Sequence, residues 1–174
     1  PDEPLQGLVF AGRISDEFKL VTGTFVRAGE LHDLLLVAAA PLVQYLVLCG
    51  EGEEFVSLLS WLNLKAAREF AGAPDASLAE LNRNPAIREQ IAHSIAAYNM
   101  DNRSSSRRVR RFSLLDELPT AEADELADKG SLRASNVRRT RAGAVAALFA
   151  PSPPPEVVIV GDERLIKAHI HVLR

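Results

Sequence analysis

One stretch constrains this chain more than any other: an apolar run that stops at a Gly-Arg pair, crosses a short acidic link and resumes as a second apolar run broken by a glycine. Leu8-Val9-Phe10 leads into Gly12-Arg13, Asp16 and Glu17 follow, and Phe18 to Arg27 is rich in Val, Thr and Phe with Gly23 in its middle. Residues 5–13 alternate weakly between apolar and polar and read as a strand. Residues 18–27 read as a β-hairpin whose turn rests on Gly23, because glycine accepts the positive φ that tight hairpin turns need.

The rest of the chain mixes both kinds of element. Leu31 to Ala40 predicts an apolar helix with Glu30 and Asp33 near its start, where the helix dipole favours negative charge, ended by Pro41. Val43 to Leu48 and Val56 to Leu62 are apolar runs of strand length. Lys65 to Phe70 reads as one or two helical turns. Ser77 with Glu80 has the spacing of a capping box, and Pro85 suits the first turn of a helix. In that helix Ile87, Ile91, Ile95 and Tyr98 form one apolar face. Residues 101–108 are a polar loop, Val109 to Leu115 a strand, 116–131 an acidic loop and 134–149 a last helix. Pro151 to Pro155 is a stiff break, after which residues 157–172 read as strand, Gly-Asp turn and strand. Without a strict strand–helix rhythm, the expected class is α+β.

Composition narrows what such a domain can do. The 174 residues are 47% hydrophobic and 25% charged, as in an ordinary folded domain. Twenty basic against 23 acidic residues leave −3, so no global field draws the chain to nucleic acid or to an anionic membrane. No run reaches the ~18 continuous apolar residues that spanning a bilayer takes. Pro1-Asp2-Glu3-Pro4 has no Met, basic region or apolar region of a signal peptide, and looks like the start of a piece of a longer protein. The lone cysteine, Cys49, fits a reducing, cytoplasmic setting, and its apolar neighbours predict a buried, inert thiol.

A second segment stands far downstream of the first: Leu114-Leu115-Asp116-Glu117-Leu118-Pro119, then Asp124-Glu125-Leu126-Ala127-Asp128-Lys129-Gly130. Taken together, the two segments resemble the junction and the final motif of adenylate-forming acid–thiol ligases, and within them most nearly the feruloyl-CoA synthetase branch. The resemblance covers roughly residues 5–150. It implies the small C-terminal domain of such an enzyme: a mixed sheet flanked by helices, with a preceding strand and hairpin. Residues 1–14 would be the last strand of a large domain and the hinge, 15–150 the mobile C-terminal domain, and 151–174 a Pro-rich linker with an extra hairpin-like tail.

The resemblance also implies roles. Arg13 would contact the nucleotide's ribose region, where an always-charged guanidinium with several rigid donors is suited. Ser15 and Asp16 would form the hinge, Ser15 standing where related ligases carry Asp or Lys. Lys19 and Gly23 would lie on the hairpin that lines the thiol's route. Lys129 would stabilise the negative charge of the adenylation step, although the register of most of the superfamily puts the lysine at Ser131. ATP, Mg²⁺ and coenzyme A are implied in the same way, with a small carboxylic acid as substrate and an N-terminal adenylation domain as partner. The phosphate loop and the nucleotide motifs of a large domain are absent here, so this chain is not expected to form an acyl-adenylate unaided.

Three other readings compete. A decayed ligase fragment could serve as a non-enzymatic interaction module. The cluster Arg103, Arg107, Arg108, Arg110 and Arg111 could contact nucleic acid, but it lacks interleaved aromatics and reads as a solvated edge. His169 and His171 share one face of a possible strand, yet two imidazoles are too few for a metal site.

Overall fold

The computed structural model describes residues 17–161. The expected strand over 5–13, the second strand of the tail, and the residues Arg13, Ser15, Asp16, His169 and His171 lie outside that range.

A two-stranded hairpin opens the described chain, β1 (Phe18–Lys19) pairing antiparallel with β2 (Phe25–Val26). Helix α1 (Ala28–Ala38) follows, then β3 (Val43–Cys49) and β4 (Val56–Leu62). Three helices come next: α2 (Leu64–Ala71), α3 (Leu78–Asn82) and α4 (Pro85–Asp101). The described chain closes with β5 (Val109–Leu114), α5 (Ala134–Thr140), α6 (Ala142–Phe149) and β6 (Val157–Ile159).

The main sheet runs β3-β4-β5-β6. β3 and β6 are antiparallel to their neighbours, while β4 and β5 are parallel. A parallel pair needs a long crossover, and α2 to α4 supply it. The mixed sheet with helices on both faces is the α+β architecture expected.

Alternation along the strands builds two cores. Leu46, Leu48, Leu58, Leu62, Phe112 and Leu114 face the side packed with α1 to α4. Val47, Cys49, Leu59, Trp61 and Val157 face the side packed with α5 and α6. All seven residues of β4 are buried, as a central strand covered on both faces must be. On α4, Ile87, Ile91 and Ile95 are fully buried, each stabilising the fold by about 2 kcal/mol. The cap of α3 is the full box, Glu80 N–H donating to Ser77 Oγ at 3.2 Å and Ser77 N–H to Glu80 Oε2 at 2.7 Å.

One expectation about the end of the chain changes. The single helix over 134–149 is two helices, broken at Arg141, whose φ of −105° and ψ of 31° leave the helical region. The periodic apolar residues could not reveal this break, because the side chain of Arg141 is drawn elsewhere, as described below. The segment after the prolines returns to the main sheet, since β6 pairs with β5 through Phe112 opposite Val158. Arg88 on α4 holds that return by donating to the carbonyl of Pro155.

Part of the arginine cluster is structural. Arg111 donates from Nη1 to the carbonyls of Leu148 and Ala150, both at 2.8 Å, and so closes the end of α6. Its guanidinium also lies 5.0 Å from the centre of the Phe55 ring. Arg107 reaches Glu30 at 3.4 Å on the surface.

Candidate functional site

Lys129 sits at the tip of a small hairpin. Leu126 and Leu132 form an antiparallel bridge. Ala127 N–H donates to the carbonyl of Ser131, and Gly130 N–H donates to the carbonyl of Ala127, both at 2.8 Å. Gly130 has a φ of 78°. This is the three-residue loop that ends in a left-handed glycine, formed by Asp128, Lys129 and Gly130, and it leaves the lysine exposed to solvent. Ser131, the other position that the resemblance offers, stands just past the loop, on the segment returning from it.

The base of this hairpin is held by a buried acid. Glu125 is only 1% exposed. Arg141 donates to it twice, Nε to Oε1 at 2.8 Å and Nη2 to Oε2 at 3.1 Å. Thr140 Oγ1 donates to Oε1 at 2.6 Å, and the backbone N–H of Thr120 donates to Oε2 at 3.1 Å. Hydrogen bonding from Arg141 is the chief reason that the carboxyl titrates at about 2 instead of 4.5; burial opposes it, and Thr140 and Thr120 add to it. Arg141 also donates to the carbonyls of Glu117 and Leu118, at 3.0 and 3.2 Å, and its guanidinium lies 5.7 Å from the centre of the Trp61 ring. Trp61 donates from Nε1 to the same Glu117 carbonyl at 2.7 Å.

Asp124, just before this acid, adds a second tie. Its φ of 56° turns the chain. Its carboxylate meets Arg133 Nη1 at 2.9 Å and accepts from Asn136 Nδ2 at 2.9 Å.

Lys19 and Gly23 lie on the β1–β2 hairpin, which rests on the turn between β3 and β4. Gly52 N–H donates to the carbonyl of Lys19, and Val21 N–H to the carbonyl of Glu53, both at 2.9 Å. The Lys19 ammonium is 4.7 Å from the centre of the exposed Phe25 ring. Gly23 has a φ of 84° and closes its turn with a 2.9 Å bond to the carbonyl of Leu20. This hairpin and the Lys129 loop are thus held by separate anchors, one at the β3–β4 turn and one at Arg141. Ser131 and Leu132 meet α1 across a groove of about 360 Å³ that His32, Leu36 and Leu46 also line.

Glu125, Thr140 and Arg141 do not stand out in the sequence. An acid in an acidic loop reads as solvated, and Arg141 lies in an arginine-rich stretch that has the look of an uninterrupted helix. The signal available was that Arg141 is the last charged residue before the apolar stretch 142–150.

No family model matches the chain, and no curated protein matches it significantly. Solved structures do. The A domain of carboxylic acid reductase from Segniliparus rugosus, in complex with AMP and a co-purified carboxylic acid, matches with a TM-score of 0.59 at 18% identity, over 80% of this chain and 20% of that one. The adenylation domain of the carboxylate reductase from Mycobacterium chelonae matches with 0.59 at 19%, over the same shares. The A-PCP didomain of the Segniliparus rugosus enzyme in complex with AMP gives 0.57 at 18%, over 77% of this chain and 17% of that one.

The chain shares its fold with part of an adenylation domain. It spans about a fifth of the length of those structures. Among the described residues no helix is long and apolar enough to cross a membrane.

Proposed function

We propose that this chain is the lid portion of an adenylate-forming acid–thiol ligase of the feruloyl-CoA synthetase kind. In the intact enzyme a carboxylate oxygen would attack the α-phosphorus of ATP and pyrophosphate would leave. A thiolate would then attack the acyl carbon of the mixed anhydride and AMP would leave. The lid's part is to bring different surfaces to one site in turn, pivoting at Ser15–Asp16 beside Arg13. Coenzyme A is the proposed thiol, and the acid pocket is assigned to a large domain.

The observation that carries this reading is Lys129, an exposed ammonium at the tip of a short loop whose base is fixed by the ion pair of buried Glu125 with partly buried Arg141. A cation held so can be delivered to a phosphate and withdrawn with the whole domain. The shared fold supports the same reading. Magnesium would arrive with ATP. Among the described residues no group of three or more His, Cys, Asp or Glu side chains is placed to hold a metal.

The test is ATP–pyrophosphate exchange in the full protein that carries this chain, with ferulate and related acids as substrates. Lys129→Ala is expected to slow exchange about 100-fold, while thioester formation from a preformed acyl-adenylate continues at the unaltered rate. Equal loss in both half-reactions, or none, removes Lys129 from the chemistry. Binding of a protein partner with no exchange for any acid would favour the non-enzymatic interaction module instead.

A further inference from the structure

The root of the Lys129 loop is tied more tightly than a solvent-facing turn requires. Both carboxylate oxygens of Glu125 are engaged, and so are both of its backbone groups, its N–H donating to Thr120 at 3.0 Å and its carbonyl accepting from Arg133 at 2.8 Å. The groups that hold it come from separate parts of the chain. Thr120 lies on the exit from β5, Arg133 on the return of the hairpin, and Thr140 and Arg141 at the break between α5 and α6. That break falls at the residue gripping Glu125, within a stretch whose sequence otherwise suits one continuous helix. Leu126 follows the fixed acid directly and bridges to Leu132, so the backbone path into the loop is tied at its base.

We propose that Glu125 and Arg141 are positioning residues for Lys129, fixing the angle and reach at which its ammonium meets the α-phosphate. The proposal rests on the reading of Lys129 as the adenylation lysine. Neither Glu125 nor Arg141 is assigned a contact with substrate. Their effect is geometric, and displacement of a reacting group by about 1 Å can cost a hundredfold in rate.

The experiment compares Lys129→Ala, Glu125→Gln, Arg141→Lys and Thr140→Val in the full protein. Glu125→Gln is expected to slow ATP–pyrophosphate exchange at saturating ATP about tenfold, with the KM for ATP unchanged and thioester formation from preformed acyl-adenylate unaltered. Arg141→Lys keeps the charge but loses the two-pronged geometry, and is expected to do the same. Thr140→Val removes one hydrogen bond and keeps the ion pair; a loss of about threefold is expected.

Amide exchange over residues 126–132 should quicken in step with the lost rate. A clamp that served stability alone would lower both half-reactions together, with the folded fraction; that outcome overturns the proposal. Exchange at the wild-type rate in all three clamp variants, beside a deficient Lys129→Ala, overturns the positioning role and leaves the lysine's role standing. A silent Lys129→Ala overturns both. Should Glu125→Gln and Arg141→Lys fail to fold, Thr140→Val decides by the same criteria.

Discussion

Asn99 on α4 gives Val109, the first residue of β5, both of the hydrogen bonds that a neighbouring strand would have given. Its Nδ2 donates to the carbonyl of Val109 at 2.7 Å, and its Oδ1 accepts from the N–H of Val109 at 2.9 Å. Both residues are buried. The amide therefore satisfies the backbone at the start of β5, the strand from which the Lys129 region descends. Asn99→Ala leaves two backbone groups buried without partners and should destabilise the fold by about 2–4 kcal/mol. Urea unfolding with an unchanged slope and a lowered midpoint would record this. A shift under about 0.5 kcal/mol would mean that water replaces the amide.

Local chemistry made much of this fold legible. Ser77 and Glu80 declared a capping box, Pro85 a helix start, and the spacing of Ile87, Ile91 and Ile95 a buried face; each is present. The run Val56 to Leu62 gave a strand with the bounds observed. What lay beyond reach was long-range. That β4 pairs parallel with β5, and that the segment after the prolines comes back to the sheet, depends on partners far apart in the chain. The break at Arg141 has the same origin: its side chain serves a residue 16 positions earlier, and no periodic pattern encodes that. The site shows the same division. The loop around Lys129 could be read from Asp128 and Gly130, while the buried acid beneath it could not.

The Glu125–Arg141 pair should make the protein acid-labile in a defined window. The carboxyl titrates at about 2 when folded, against 4.5 for an ordinary glutamate. As pH falls, the unfolded chain therefore takes up this proton before the folded one does. The stabilisation is complete above about pH 4.5 and is lost as pH falls toward 2, and at neutral pH it is about 3 kcal/mol. Glu125→Gln removes it at every pH. The difference in unfolding free energy between wild type and variant should shrink across that window, since the other carboxylates titrate in both proteins. A difference that stays constant with pH would contradict the pairing.

Cys49 should be chemically silent in the folded protein. Burial pushes its thiol up to about 12, outweighing the opposing charge of Arg138 and the hydrogen bond with Leu59. At pH 8 almost no thiolate forms, and the side chain is inaccessible at the sheet's α5–α6 face. A disulfide reagent should therefore label native protein at the rate of opening and label unfolded protein at once. Labelling faster than the amides of β3 exchange would show that the thiol is reached without opening.

Gly23 separates backbone cost from functional cost. Its φ of 84° disfavours any side chain, yet nothing lies within 4 Å of where a Cβ would stand. Gly23→Ala should therefore cost about 1 kcal/mol of stability, all of it conformational. If the hairpin lines the thiol's route, the added methyl group intrudes there and nowhere in the protein's own packing. Thioester formation should then fall about tenfold while ATP–pyrophosphate exchange is kept. Lys19→Ala offers the complementary case, since it releases Phe25 from its cation without narrowing any passage. Wild-type rates in both half-reactions for Gly23→Ala, at the predicted loss of stability, would take the hairpin off the thiol's path and leave Gly23 as a turn residue.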